Sequence, residues 1–77
     1  MNILCFGDSN TYGYRPDGTG RFDENTRWTC LLQKKLGTRH RMIEEGLCGR
    51  TTIFSDAFRE GRRGLDQIGI TMETHNP

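Results

Sequence analysis

The sequence predicts an α/β protein that begins with a β-α-β-α unit of a parallel sheet. A short apolar run over residues 2–6 stops abruptly at Gly7, which is typical of a buried strand. Apolar residues then recur at helical spacing over residues 27–36, and a weaker strand candidate follows over residues 41–45. A strand, a helix and a second strand in this order are typical of parallel α/β sheets.

The first predicted helix covers residues 27–36. Thr26 is placed to cap its N-terminus, and Gly37 stands where a C-terminal cap is expected. Its apolar positions are Trp28, Leu31, Leu32 and Leu36. Their spacing predicts a helix with one apolar face.

A second helix is predicted over residues 65–73, after a turn at residues 46–49 and an irregular, arginine-bearing stretch over residues 50–63. Asn76-Pro77 is expected to end it. Its apolar residues share one face and are Leu65, Ile68 and Met72. Two strands cannot form a stable doubly wound sheet, so we expect residues 1–77 to be the truncated, N-terminal part of a single domain.

Size and composition exclude several classes of protein. The chain has 77 residues, of which 32% are hydrophobic, and a formal net charge of +1. This charge argues against a nucleic-acid partner, and no apolar run approaches the roughly 18 residues that span a membrane. The odd count of three cysteines, without Cys-x-x-Cys spacing, favours reduced thiols in a cytoplasmic protein. We expect no metal and no cofactor.

Ser9 is the candidate nucleophile because the first predicted strand delivers it to the carboxyl end of the sheet. Parallel α/β proteins place their chemistry at that edge. A serine hydroxyl also needs a base and donors for the developing oxyanion. Gly49 follows the second strand in the same way, so the Ser9 and Gly49 N–H groups could form part of an oxyanion hole. Taken alone, the Gly-Asp-Ser triplet fits a strand end and a helix cap without any catalytic role.

Two blocks of the sequence resemble the SGNH or GDSL hydrolase family. The first block, over residues 3–13, reads Ile-Leu-Cys-Phe-Gly-Asp-Ser-Asn-Thr-Tyr-Gly, and the second, over residues 43–52, reads Ile-Glu-Glu-Gly-Leu-Cys-Gly-Arg-Thr-Thr. Three short stretches are similar to the arylesterase and acyltransferase branch, namely Arg21-Phe22, Arg27-Trp28 and residues 64–68. The resemblance spans nearly the whole chain. It implies the opening part of a three-layer α/β/α, flavodoxin-like fold.

The resemblance also implies roles for single residues. Ser9 would be the nucleophile, and its N–H, together with that of Gly49, would bind the oxyanion. The residues expected beside the substrate are Asp8, Asn10, Tyr12 and Tyr14. Asp8 is expected to fix the turn through local hydrogen bonds rather than to serve as the triad acid. The two tyrosines correspond to aromatic residues beside the acyl pocket of related enzymes, and packing within the loop explains them equally well.

The remaining motifs of the family do not occur in this sequence. There is no Gly-x-Asn-Asp for the third oxyanion donor and no Asp-x-x-His for the acid and base of the triad. His40 lies at the entry to the second strand, which belongs to the edge of the sheet opposite Ser9. His75 is expected to interact locally with the C-terminus of its helix. Neither histidine is expected to replace the base.

The resemblance implies a serine esterase or acyl hydrolase, or an acyltransferase, that acts on a small-molecule ester of a short-chain carboxylic acid. Because the missing motifs supply the base, we expect the chain to be inactive alone. The alternative is a non-catalytic truncated remnant or an assembly module of the same fold. Exposed strand edges predict self-association, or pairing with a missing C-terminal portion.

Overall fold

The computed structural model describes all 77 residues and confirms the predicted α/β class. The strands are β1 (Asn2–Gly7) and β2 (Arg41–Gly46), and the helices are α1 (Ser9–Tyr12), α2 (Trp28–Leu36) and α3 (Gly64–His75), with a 3-10 turn at Gly37–Arg39. The strands run parallel, with Asn2 opposite Arg41 and Gly7 opposite Gly46. Both strands therefore end at the same edge of the sheet.

The interior of the molecule is small. The five buried residues are Cys5, Thr11, Gly13, Thr29 and Gly64. Large apolar side chains remain exposed, among them Phe54, Phe58 and Ile70. Little apolar side-chain surface is therefore fully buried between the elements.

The predicted cap of α2 is wrong. The Thr26 hydroxyl donates to the Asp23 carboxylate at 3.1 Å, and the Arg27 N–H donates to the Asp23 carbonyl at 3.0 Å. Thr26 therefore belongs to a turn that Asp23 begins. The helix starts after Arg27 and has no side-chain cap. The prediction for Gly37 is confirmed, since its N–H donates to the Gln33 carbonyl and its φ is 69°.

The face that α2 turns toward β2 is more polar than its leucine spacing predicts. Trp28 and Leu31 are 45% and 41% exposed, whereas Thr29 is fully buried. The Thr29 hydroxyl donates to the carboxylate of Glu44 in β2 at 2.5 Å. The residue at the centre of the contact between α2 and β2 is therefore Thr29, hydrogen-bonded to Glu44, and not a leucine.

α3 is longer than predicted at both ends, and its apolar face is incompletely covered. Leu65 and Met72 are 56% and 47% exposed, whereas Ile68 is half-buried. The helix ends as predicted at Asn76, which adopts a left-handed φ of 43°. None of the helices has the length and apolar character that a membrane crossing requires.

The segment between β2 and α3 is irregular, as the sequence predicts, and arginine side chains hold it together. Arg59 and Arg62 donate to the Cys48 carbonyl at 3.3 and 3.1 Å, and Arg63 donates to the Ile53 carbonyl at 2.7 Å. These three arginines thus donate hydrogen bonds to backbone carbonyls of their own segment.

Candidate active site

Ser9 stands on a tight turn between β1 and α1. β1 ends at Gly7, and Ser9 is the first residue of α1. The Asp8 carboxylate accepts a hydrogen bond from the Asn10 N–H at 3.0 Å, and the Asp8 carbonyl accepts one from the Tyr12 N–H at 2.9 Å. Asp8 therefore caps the short helix and holds Ser9 at the carboxyl edge of the sheet.

Two glycines make room for this turn. Gly7 and Gly46 lie opposite each other at the ends of the two strands. A Cβ at Gly46 would lie 2.1 Å from the Tyr12 backbone nitrogen, and one at Gly7 would lie 2.2 Å from the Thr11 hydroxyl oxygen. α1 can rest directly on the strand ends because both positions lack a side chain. The signal for this in the sequence is a matched glycine at the end of each strand.

Gly49 lies in a tight turn just beyond β2. The Arg50 N–H closes the turn by donating to the Leu47 carbonyl at 3.0 Å. Gly49 occupies the third position of the turn with a φ of 80°, a conformation that favours glycine there. The Leu47 N–H donates to the Gly7 carbonyl at 3.1 Å, which ties this turn to the end of β1.

Ser9 and Gly49 line the same open cleft. The cleft has a volume of about 450 Å³, and its wall is completed by Tyr14, Cys48, Asp56, Phe58 and Arg59. Neither the Ser9 N–H nor the Gly49 N–H donates a hydrogen bond within the chain. Two residues of one cleft thus have unpaired N–H groups, the kind of donor that a tetrahedral oxyanion requires.

The other predicted site residues divide between the cleft and its support. Tyr14 lines the cleft. Tyr12 packs against Arg21, whose guanidinium carbon lies 4.4 Å from the centre of the Tyr12 ring and whose Nε donates to the Tyr12 carbonyl at 2.6 Å. Asp8 and Asn10 are exposed, are hydrogen-bonded to each other and do not line the cleft.

No histidine lines the cleft. His40 lies at the amino end of β2, at the opposite edge of the sheet. His75, in the last turn of α3, reaches beyond its own helix, and its Nε2 lies 2.8 Å from the Glu45 carboxylate. The chain therefore brings no imidazole base to Ser9, and it groups no three side chains of the types that hold a metal.

A half-buried carboxylate organises the side of the sheet that α2 covers. Arg27 donates to Glu44 from Nε at 2.9 Å and from Nη2 at 3.2 Å. The Arg27 hydrogen bond holds the pKa of Glu44 below its usual value, against the opposing effect of desolvation and with further help from Thr29. Arg21 adds a third partner at 3.9 Å. This network, which sequence reasoning missed, fixes α2 on the strand that leads to Gly49.

The chain is similar to several solved esterases. Over its full length it matches the aryl esterase of M. smegmatis with a TM-score of 0.93 and 41% identity. It matches a carbohydrate acetylesterase family member from Sinorhizobium meliloti with a TM-score of 0.92 and 41% identity, again over its full length. Est24, a carbohydrate acetylesterase from the same organism, matches with a TM-score of 0.90 and 32% identity. No protein-family model and no curated protein matches the chain.

The chain spans well under half the length of these esterases. It covers 38% of the aryl esterase and of Est24, and 37% of the other S. meliloti protein. Its parallel strand pair and helices therefore have the fold of one part of such an esterase.

Proposed function

We propose that residues 1–77 are the nucleophile-bearing, N-terminal part of an SGNH-type serine ester hydrolase of the arylesterase-like branch. One observation carries the proposal: Ser9 shares a cleft with Gly49, and the N–H groups of both residues are unpaired. The similarity to an aryl esterase and to carbohydrate acetylesterases over the whole chain supports the same class of reaction.

In the proposed reaction, the Ser9 hydroxyl oxygen attacks the carbonyl carbon of an ester, and its proton passes to a base that residues 1–77 do not supply. The carbonyl π electrons move to oxygen, and the oxyanion accepts hydrogen bonds from the Ser9 and Gly49 N–H groups. Collapse breaks the bond to the alcohol, which leaves with the proton, and Ser9 remains acylated. Water then releases the carboxylic acid, or a second alcohol takes the acyl group in a transferase reaction.

The cleft fits a small ester with a short acyl group. Its volume of about 450 Å³ lies in the lower part of the range of small-molecule sites. Tyr14 and Phe58, which are 48% and 95% exposed, present aromatic rings beside the polar groups of Asp56 and Arg59. Aryl acetates and acetylated carbohydrates are therefore the substrate classes to test first, in keeping with the names of the similar esterases.

We further propose that the reaction needs no cofactor and takes place in the cytoplasm. The nucleophile and both oxyanion donors are protein groups, so the chemistry calls for no cofactor. The thiols of Cys5, Cys30 and Cys48 are all free, which supports a cytoplasmic location.

We expect the isolated chain to hydrolyse p-nitrophenyl acetate negligibly. In triad hydrolases, loss of the base removes most of a roughly 10⁶-fold advantage in kcat. The measurement is release of p-nitrophenol by the purified chain, with Ser9→Ala as the reference. A robust rate that disappears in Ser9→Ala would contradict the expected need for an external base.

The positive test replaces the equivalent segment of the M. smegmatis aryl esterase with residues 1–77. We expect the chimera to hydrolyse p-nitrophenyl acetate and Ser9→Ala to lower kcat by at least about 10³-fold. The matched control is Ser55→Ala, which changes an exposed serine outside the Ser9 cleft and should leave the rate unchanged. A folded chimera without Ser9-dependent activity would refute the proposal and favour a non-catalytic role.

A further inference from the structure

The Arg50 side chain joins three elements at the carboxyl edge of the sheet. It is only 8% exposed and directly follows Gly49. Its Nη1 donates to the Gly7 carbonyl at 3.2 Å and to the Glu45 carbonyl at 2.7 Å, and its Nε donates to the Gln67 side chain at 2.7 Å. These partners belong to β1, β2 and α3. A single guanidinium thus holds both strand ends and the last helix together.

The buried guanidinium of Arg50 lies beside one aromatic ring and one carboxylate. Its guanidinium carbon lies 3.9 Å from the centre of the Phe6 ring, and its Nη2 lies 3.8 Å from the Glu45 carboxylate. Burial lowers the pKa of Arg50, and the Glu45 carboxylate opposes this effect. Several donors in a planar fork are needed to reach two carbonyls and an amide at once, and a lysine ammonium does not offer that geometry.

Arg50 forms hydrogen bonds in both turns that carry the candidate oxyanion donors. Its backbone N–H closes the turn that carries Gly49, by donating to the Leu47 carbonyl at 3.0 Å. Its side chain holds the Gly7 carbonyl, two residues before Ser9. The same Gly7 carbonyl accepts the Leu47 N–H at 3.1 Å. The two turns that carry Ser9 and Gly49 are therefore joined at the Gly7 carbonyl by two hydrogen bonds, one from the Leu47 backbone and one from the Arg50 side chain.

We propose that Arg50 is a positioning residue that fixes the separation between the Ser9 and Gly49 N–H groups. Arg50 lines a separate cavity with Phe6 and Asp8 and not the Ser9 cleft, so the role we assign to it acts through the two turns. The inference rests on the proposed function, because an oxyanion hole works only when its donors are held to within about 0.5 Å.

The test uses nuclear magnetic resonance of the isotopically labelled 77-residue chain. Arg50→Lys keeps the charge and removes the fork. The matched control is Arg27→Lys, which changes a second arginine of low exposure on the α2 side of the sheet. We expect Arg50→Lys to shift and broaden the amide signals of Ser9 and Gly49 together, and Arg27→Lys to leave both signals in place.

A chemical rescue separates positioning from general stability. In Arg50→Ala, millimolar guanidinium should move the Ser9 and Gly49 amide signals back toward their wild-type positions, whereas methylammonium should not. Rescue by both cations, or by neither in a folded variant, would overturn the inference. If Arg50→Ala does not fold, the comparison of the two lysine variants decides.

Three results with the lysine variants would also overturn the inference. They are unchanged Ser9 and Gly49 signals in Arg50→Lys, equal changes in both lysine variants, and unfolding of Arg50→Lys while Arg27→Lys stays folded. The last result would assign Arg50 to general stability alone. These spectra report on the Ser9 and Gly49 amides in the absence of substrate. A negative result there would refute the role of Arg50 alone, whereas the proposed ester hydrolysis is tested separately by the chimera assay.

Discussion

At the scale of single residues, the missing side chains of Gly7 and Gly46 determine where Ser9 stands. Both glycines end a strand, and α1 occupies the space that their Cβ atoms would fill. The positions of Ser9 and Gly49 beyond the carboxyl ends of β1 and β2 could be predicted from the sequence, because each residue follows a short strand. The glycine that ends each strand is visible in the sequence, but the contact of Gly46 with Tyr12 is not, because Tyr12 is distant in the sequence.

The alanine variant of Gly46 tests this packing. Gly46→Ala should destabilise the chain by about 3 kcal/mol, because its Cβ would lie 2.1 Å from the Tyr12 backbone nitrogen. Gly69→Ala is the matched control, since Gly69 lies inside α3 with nothing within 4 Å, and it should stabilise by about 0.5–1 kcal/mol. Urea unfolding measures both changes. A neutral effect of Gly46→Ala would contradict the close seating of α1 on β2.

The pH dependence of stability tests the Glu44 network. The Arg27 hydrogen bond lowers the pKa of Glu44 in the folded chain. The stability that this carboxylate contributes is therefore fully present above its unfolded pKa of about 4.3, and it is lost as the pH falls through the lower folded pKa. We expect Glu44→Gln to be less stable at pH 7 and to lose less stability on acidification than the wild type. Parallel curves for the two proteins in urea unfolding would contradict this.

At the scale of the elements, the strand and helix positions follow from the sequence more closely than their contacts do. Apolar runs predict β1 and β2 to within a residue or two, and the 3.6-residue period predicts α2 and α3. The polar face of α2 could not be predicted, because Thr29 faces β2 through its hydrogen bond to Glu44, a residue of a later strand. The cleft residues Asp56 and Phe58 could not be predicted either, since no local pattern fixes the path of the segment that carries them.

One side chain of α2 covers the outer edge of β2. The Gln33 amide oxygen accepts from the Met42 N–H at 2.8 Å, and its nitrogen donates to the His40 carbonyl at 2.7 Å. An amide that bonds both groups occupies the place of a neighbouring peptide. It therefore occupies the pairing site at the start of this edge, where another strand would otherwise bind.

Gln33→Leu tests this edge protection. We expect it to destabilise the chain by about 1–3 kcal/mol, because two backbone groups lose their partners, and to increase association of the chain with itself. Lys35→Leu adds the same side chain at an exposed position of the same helix and serves as the control. Urea unfolding and sedimentation velocity measure the two effects. Equal association of both variants would show that added hydrophobicity, and not the uncovered edge, is responsible.

At the scale of the whole molecule, Ser9, Gly49 and Arg50 all lie at the carboxyl edge of the sheet. β1 leads into Ser9, the proposed nucleophile, the turn beyond β2 carries Gly49, and the Arg50 side chain bonds the ends of both strands to α3. The resemblance of the two sequence blocks to the SGNH or GDSL hydrolase family predicts the roles of Ser9 and Gly49. The position of the Arg50 side chain depends on contacts among three elements, which sequence spacing does not reveal. In the proposed reaction, the Ser9 and Gly49 N–H groups bind one oxyanion.

The most direct measurement is a crystal structure of the chimera inhibited by a p-nitrophenyl phosphonate. We expect the Ser9 oxygen to displace nitrophenolate and to bond to phosphorus. We also expect the phosphoryl oxygen to lie about 2.7–3.1 Å from the backbone nitrogens of both Ser9 and Gly49. A phosphonate attached to another residue, or a phosphoryl oxygen that contacts neither nitrogen, would contradict these expectations.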